Sequence, residues 1–392
     1  MRKLIFYIFI FLGCSFYAFA NQQTFVTDYD VLSSNKTKIE NGDKVLNRAK
    51  SELIKDANRI VRVGEIYTVV NKKQLPPSQS RNDYYSLAPY WWPDANKIDK
   101  QPYVRKDGKV NPESKEVTDS YMLGSLSNDV YTLGLAYFYT DDEKYAKWIN
   151  KLIAVFFIDP ETRMNPNLNY AQVIKGRNNR GSITIEAASF IKLIEGLQFA
   201  QNSSALNRHY ISGIKKWFGE FAFWMESEER PRRDMYANNN IGVYYAAQII
   251  VYSLFVGNEA KGKKFLEEHG RRIVDNQIDG EGRLEAELQR SIPWSYTKYG
   301  MAAFDYLVQL SFNLGVDLYS YENPKRGSID KMYKWLISYA EKEKSWEYDK
   351  ETPSLNQLQT VLLRSNVVGY KNKITHKEKK VSYLYLLTKT FD

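Results

Sequence analysis

The sequence predicts an all-α protein in which antiparallel helical hairpins close into an (α/α) barrel, or toroid, as a single domain. Apolar residues recur at helical spacing over most of the chain; Met122, Leu126 and Leu133, for example, lie four and seven residues apart. Gly, Pro, Asn or Asp interrupts the pattern at short intervals, which favours neighbouring helices that run antiparallel. No repeat period is visible, so a closed barrel is favoured over an open solenoid.

The predicted elements follow one another along the chain. Residues 21–40 are polar and expected to be irregular. Residues 72–115 hold six of the twelve prolines and are expected to form a structured loop region. The last segment, 380–391, fits either a helix or a strand. Helices are predicted over residues 44–60, 119–139, 143–157, 183–200, 206–226, 241–256, 261–276, 298–314, 328–342 and 354–365.

The first twenty residues have the composition of a secretory signal peptide. Two basic residues precede the apolar run 4–12, and an Ala-Phe-Ala cleavage site ends at Ala20. This pattern predicts a periplasmic or secreted protein with a mature domain over residues 21–392. Lipid attachment at Cys14 is an alternative, disfavoured because the residues after it stay apolar. No later stretch has the length and apolarity of a transmembrane helix.

The chain is basic, with a formal net charge of +9 and a pI near 9.1. This favours an anionic partner, although an ordinary charged surface would give the same balance. The chain has no nucleic-acid-binding motif, so an acidic polysaccharide is the preferred candidate. Cys14 is the only cysteine, and neither the acidic residues nor the three histidines show ligand spacing. We therefore expect no disulfide, metal or cofactor.

An aromatic stretch, DYYSLAPYWWPD at residues 83–94, is the first candidate for sugar binding. It places five aromatic residues within twelve positions. Flat apolar rings with polar tips stack well on sugar faces. We predict this role for Tyr85, Tyr90 and Trp91; the alternative is a loop that buries its rings in the core.

A second stretch, TRMNPNLNYAQVIKGRNNRG at residues 162–181, is rich in amides and arginines between two predicted helices. Amides bind hydroxyls, and arginine binds carboxylates through two parallel hydrogen bonds. Asn169, Tyr170, Gln172 and Arg177 are the predicted contacts. A plain polar loop is the alternative.

Two further stretches place polar side chains at predicted helix starts. Residues 238–240 are three consecutive asparagines before an apolar helical segment. Asparagine favours caps over helix interiors, and Asn238 is the candidate cap. The stretch ELQRSIPWSYTKYG, residues 287–300, brings Arg290 and Tyr296 close together around a proline.

Taken together, these stretches resemble the alginate lyase superfamily of (α/α)-toroid polysaccharide lyases, and most closely polysaccharide lyase family 38. The resemblance covers roughly residues 80–320. It is carried by NDYYSLAPYWWPDA at 82–95, PYVRKDGKVNP at 102–112 and TRMNPNLNYAQ at 162–172, the last identical to the family stretch. The family's NNHGxxYxxQ and ELxRTxSxxYS match residues 239–248 and 287–297, which adds Tyr245 and Glu287 to the expected substrate-binding residues.

The resemblance implies β-elimination at a 4-linked uronate, which needs a neutralised carboxylate, a base for the C5 proton and an acid for the leaving O4. Asn239 and Asn240 are the predicted carboxylate clamp, aided by the helix N-terminus; the alternative is that they only form the cap and turn. Tyr296 is the predicted base and acid, and Arg290 is expected to favour its phenolate.

One departure from the family pattern bears on the substrate. The family's histidine after the asparagine pair is Ile241 here, which cannot take a proton. One phenol can serve both proton transfers only in syn geometry, so we expect action on mannuronate-type alginate or glucuronate-containing polymers, with little on guluronate blocks. A non-catalytic glycan-binding protein is the alternative. A glycoside hydrolase using Glu186 and Glu287 is a third.

Overall fold

The structure is a computed structural model that describes residues 24–178, 181–364 and 382–387. Four short strands lie among its helices: β1 (Tyr85–Leu87), β2 (Trp91–Trp92), β3 (Val104–Arg105) and β4 (Tyr170–Val173). The helices are α1 (Tyr29–Glu40), α2 (Lys44–Val63), α3 (Asp119–Thr140), α4 (Glu143–Ile153), α5 (Phe190–Phe199), α6 (Arg208–Ser227), α7 (Glu229–Asp234), α8 (Asn240–Phe255), α9 (Glu259–Gln277), α10 (Glu285–Leu288), α11 (Pro293–Asn313), α12 (Ile329–Ala340) and α13 (Leu355–Arg364).

The helices form an inner and an outer ring, which confirms the predicted all-α toroid. α3, α5, α8 and α11 pack side by side in that order, and α8 is buried on nearly every side. Three of the inner helices also pack against helices outside the inner ring: α3 against α2 and α4, α8 against α6 and α9, and α11 against α12. The outer helices bury one face only, as amphipathic surface helices do.

Helices α3 and α5 approach each other closely because glycines face one another at their crossing. A Cβ on Gly134 would overlap the carbonyl oxygen of Gly196, and a Cβ on Gly196 would overlap that of Val130. The backbones touch without side chains between them, so neither position tolerates a larger residue.

We expect Gly134→Ala to lower the free energy of unfolding by about 3 kcal/mol, since backbone atoms cannot move aside as a flexible side chain can. Gly124→Ala is the matched control in α3, because its Cβ would meet no atom within 4 Å. The control should raise stability by up to about 1 kcal/mol through helix propensity. Urea unfolding of both variants tests this, and equal effects would contradict the close contact.

Several boundaries differ from the sequence prediction. Residues 29–40 form α1 instead of an irregular segment, because Asp28 caps the helix and Val31, Leu32 and Ile39 are buried. The third predicted helix, 143–157, changes to a five-residue π-helical turn at Ala154–Ile158. The short helices α7 and α10 were not predicted. α11 begins at Pro293, five residues earlier than expected, since proline fits the first helical position.

The predicted loop region 72–115 is ordered by two strand pairs and a buried ion pair. β1 pairs parallel with β4, and β2 pairs antiparallel with β3. Lys72 Nζ lies 2.7 Å from Asp119 Oδ2 at the start of α3, with both side chains fully buried, and the same oxygen accepts a hydrogen bond from the Tyr85 N–H. Burial raises the pKa of Asp119 to about 6. The loop is thereby fixed to the inner ring.

The export prediction falls on residues 1–20, Cys14 included, which lie outside the described residues. The segment 380–391 is described only at 382–387, where residues 383–387 form a 3-10 turn. Within the described residues, no helix has both the length and the apolarity that crossing a membrane requires.

Candidate active site

A cleft of about 810 Å³ opens where the four inner helices begin. The cleft is lined by residues at or near the start of each inner helix: Ser120 and Gly124 of α3, Glu186 just before α5, Asn239 to Ile241 at the start of α8, and Ile292, Ser295, Tyr296 and Tyr299 at the start of α11. The inner helices therefore point the positive ends of their dipoles at the same space, which favours an anionic ligand. A cavity of about 850 Å³ lies at their opposite ends and holds none of the predicted site residues.

Asn240 is held at the base of the cleft by a buried carboxylate. Its backbone N–H and its side-chain Nδ2 donate to Glu287 Oε1, at 2.6 and 2.7 Å. Because an ionised carboxylate only accepts hydrogen bonds, the nitrogen of the amide faces Glu287. One amide proton is used there, and the second is left to donate to a ligand. Burial raises the pKa of Glu287, and the Asn240 donors oppose that shift.

The helix cap is Asn239 and not the predicted Asn238. The Asn239 side chain accepts a hydrogen bond from the Ile241 N–H at 3.1 Å, whereas Asn238 is exposed and does not line the cleft. Asn239 lines the cleft while capping α8. The asparagine row thus divides into an exposed residue, a cap and a buried donor.

Arg290 and Tyr296 stack directly on one another at the start of α11. The guanidinium carbon of Arg290 lies 3.5 Å from the centre of the Tyr296 ring. The Nε–Nη2 edge of the same guanidinium pairs with Asp107: Nε donates to Oδ2 at 3.0 Å and Nη2 donates to Oδ1 at 2.8 Å. A bidentate pair of this kind fixes the plane of the guanidinium.

The pKa of Tyr296 is raised overall, whereas the sequence predicted only the lowering effect of Arg290. Burial and the neighbouring Tyr90 raise the pKa of Tyr296 well above its usual value, and Arg290 lowers it by less. Arg290 thus acts on the pKa of Tyr296 in the expected direction, but burial and Tyr90 outweigh it, so the net shift favours the protonated phenol. The hydroxyl is buried and makes no hydrogen bond of normal geometry within the described residues.

The aromatic loop supplies one wall of the cleft. Tyr90 and Trp91 line it, as predicted, and so does Gln172 from β4. Gln172 donates its side-chain N–H to Glu186 at 2.9 Å, and its backbone adopts a left-handed conformation (φ 49°) uncommon for a residue with a side chain. Arg177 does not line the cleft; its guanidinium carbon lies 4.9 Å from the centre of the Trp91 ring, in a cation–π contact.

Four residues predicted to bind substrate lie elsewhere. Tyr245 is fully buried, with its hydroxyl donating to the Met225 carbonyl at 3.0 Å. Tyr85 and Tyr170 pack together in a small apolar cluster. Asn169 is outside the cleft and accepts a hydrogen bond from the indole of Trp224.

Glu287 also does not line the cleft; it acts by holding Asn240. Of the pair Glu186 and Glu287, which the hydrolase alternative requires to flank the scissile bond, only Glu186 lines the cleft.

The cleft also contains residues that were not predicted: Arg105, Glu186 as a wall residue, and Tyr299. Asp107 accepts hydrogen bonds from Arg290, and Glu287 accepts hydrogen bonds from Asn240, so a carboxylate holds each of these two cleft residues in place. Arg105 and Asp107 belong to the PYVRKDGKVNP stretch, whose resemblance to the family was the signal that could have identified them. In the part of the chain that the structure describes, no group of three or more His, Cys, Asp or Glu is placed to hold a metal ion.

Comparison with known proteins decides the family. The family model for alginate lyase matches residues 68–346, which include every wall of the cleft. The chain belongs to the alginate lyase family. It is a polysaccharide lyase of the (α/α)-toroid fold. No curated protein matches this sequence.

Solved structures of alginate lyases share this architecture. A crystal structure of an alginate lyase from Bacteroides ovatus matches with a TM-score of 0.85 at 29% identity, covering 93% of this chain and 98% of that one. Alginate lyase A1-III from Sphingomonas species A1 matches with a TM-score of 0.54 at 14% identity, covering 94% and 98%. A variant of A1-III complexed with a tetrasaccharide matches with a TM-score of 0.52 at 15% identity, covering 86% and 84%. At such low identity, A1-III shares the fold alone.

Proposed function

We propose that this lyase cleaves 4-linked uronate polymers, mannuronate-type alginate or a glucuronate-containing glycan, by syn β-elimination. The observation that carries the proposal is the convergence of Asn240, Arg290 and Tyr296 in one cleft at the N-terminal ends of the inner helices. These groups supply an anion site and a proton-transferring group side by side. The assignment to polysaccharide lyase family 38 and the export to the periplasm stay predictions.

Asn240 neutralises the uronate carboxylate. Its second amide proton donates to the carboxylate, and the positive end of α8 stabilises the negative charge that develops when C5 loses its proton. The Glu287 contact fixes the amide before substrate arrives, so no reorientation is needed during the reaction.

Tyr296 takes the C5 proton as a phenolate and returns it to the leaving O4 as a phenol. The C5–H and C4–O4 bonds break, a C4–C5 double bond forms in the new non-reducing unit, and the phenolate is regenerated. One group serves both steps when the proton and O4 lie on the same face of the sugar, as in β-D-mannuronate and β-D-glucuronate. In α-L-guluronate they lie on opposite faces.

Ile241 supports the restriction to syn substrates. It lines the cleft beside Asn240 with a side chain that neither accepts a proton nor hydrogen-bonds a carboxylate. The same residue favours the second candidate function, a glycan-binding protein without activity. Binding of polymannuronate with no unsaturated product at any pH would establish that second function.

The pH dependence tests the role of Tyr296. Because the pKa of Tyr296 is raised in the free enzyme, only a small fraction is phenolate at neutral pH. We expect kcat/KM on polymannuronate to rise about tenfold per unit between about pH 7 and pH 9. Product is followed by the ultraviolet absorbance of the unsaturated uronate. A kcat/KM that is flat or falls over this range would contradict the phenolate base.

A further inference from the structure

We propose that Asp107 is the positioning residue that holds Arg290 against Tyr296. The inference rests on the proposed function, since it assigns the support of the proton-transferring group. Asp107 lies in the loop after β3, and Arg290 lies between α10 and α11, so the contact joins two distant parts of the chain across the rim of the cleft.

The contacts of Asp107 use both carboxylate oxygens. Oδ1 accepts from Arg290 Nη2 at 2.8 Å and from Arg105 Nη2 at 2.7 Å, and Oδ2 accepts from Arg290 Nε at 3.0 Å and the Ser291 N–H at 3.2 Å. The carboxylate thus bridges two cleft arginines and fixes the backbone just before α11. Its side chain is 23% exposed, and that of Arg290 is 17% exposed, so water competes only weakly for the pair.

The local backbone also favours this contact. Gly108 follows Asp107 with a φ of 70°, a left-handed conformation that glycine adopts without strain, and a Cβ there would press against the Ser291 side chain. The loop can therefore approach α11 closely enough for the carboxylate to reach Arg290. The Arg290 hydrogen bonds hold the pKa of Asp107 well below its usual range, so the pair stays ionised throughout the pH range of an assay.

Holding Arg290 matters because its guanidinium covers the Tyr296 ring at 3.5 Å. Stacking fixes the ring, and the adjacent positive charge lowers the cost of forming the phenolate. Long arginine side chains have many rotamers, so an unpaired Arg290 would leave the ring for part of the time. The bidentate pair with Asp107 removes that freedom and keeps the cation over the ring.

The test is the pH profile of kcat/KM on polymannuronate for Asp107→Asn. The sign of the shift separates two roles. A carboxylate that acts only through its charge disfavours the phenolate, so its removal would move the alkaline rise to lower pH. A carboxylate that holds Arg290 in place has the opposite effect, because losing it removes the cation from Tyr296. We expect the rise to move to higher pH and kcat near neutral pH to fall about 100-fold.

Three further variants complete the experiment. Asp99→Asn removes one charge from the connection between β2 and β3, at an exposed site away from the cleft, and should leave the profile unchanged. Asp107→Glu keeps the charge and should recover part of the rate, and it serves as the test if the asparagine variant fails to fold. An unshifted or acid-shifted profile in folded Asp107→Asn would overturn the positioning role, as would an acid-shifted profile in Asp107→Glu if the asparagine variant does not fold. Full activity in Tyr296→Phe would instead overturn the proposed function.

Discussion

Tyr296→Phe should lower kcat on polymannuronate by about a thousandfold while the protein stays folded and still binds the polymer. Phenylalanine keeps the ring that stacks on Arg290 but lacks the hydroxyl that transfers the proton. The Tyr296 hydroxyl makes no hydrogen bond of normal geometry within the described residues and interacts with Tyr90, so we expect its removal to leave the fold intact. The rate is measured as release of unsaturated uronate, and binding by calorimetry.

Tyr236→Phe is the matched control for this experiment. Tyr236 is 58% exposed, lies outside the cleft and belongs to the same stretch as the asparagine row. It should keep the parental kcat and KM. A Tyr296→Phe enzyme with more than about a tenth of the parental kcat would show that another group moves the protons.

Asn240→Ala should lower kcat by about 100-fold to 1000-fold, comparable to the loss of a single oxyanion-stabilising donor. The change also leaves the buried Glu287 carboxylate without its side-chain donor, while the backbone N–H contact remains. Asn238→Ala removes an amide from the same row at an exposed position and should leave kcat unchanged.

Both asparagine variants should be assayed together for kcat and for thermal unfolding. A loss of kcat that simply follows a loss of folded protein would point to a structural role for Asn240. Equal kcat values in the Asn240 and Asn238 variants would contradict the carboxylate clamp.

The helices were largely predictable because the inner and outer rings impose strong apolar patterns. The two helices whose bounds were predicted incorrectly, α1 and α11, each have a local reason. α1 has few apolar residues and is ordered by packing at Val31 and Leu32, which a polar stretch does not reveal. The start of α11 was placed late because Pro293 was taken as a break, although a proline at a first helical position is compatible with the helix.

The candidate site was predictable where a motif spans a helix start, as at Asn240 and Tyr296. It was not predictable where rotation along a helix decides the direction of a side chain. Tyr245 follows Asn240 by five residues, which turns it by about 140° away from the cleft and into the core. Asp107 meets Arg290 across 183 residues, and no local pattern reports such a contact.

The central claim, syn elimination by one phenol, is tested most directly by comparing initial rates on pure polymannuronate and pure polyguluronate. Since Ile241 offers no base on the opposite sugar face, we expect unsaturated uronate from polymannuronate and a rate at least about 100-fold lower from polyguluronate. Glucuronan, with the same C4 and C5 configuration as polymannuronate, shows whether the syn site also accepts glucuronate. Equal rates on polymannuronate and polyguluronate would contradict the account, because a second base would then have to act in the cleft.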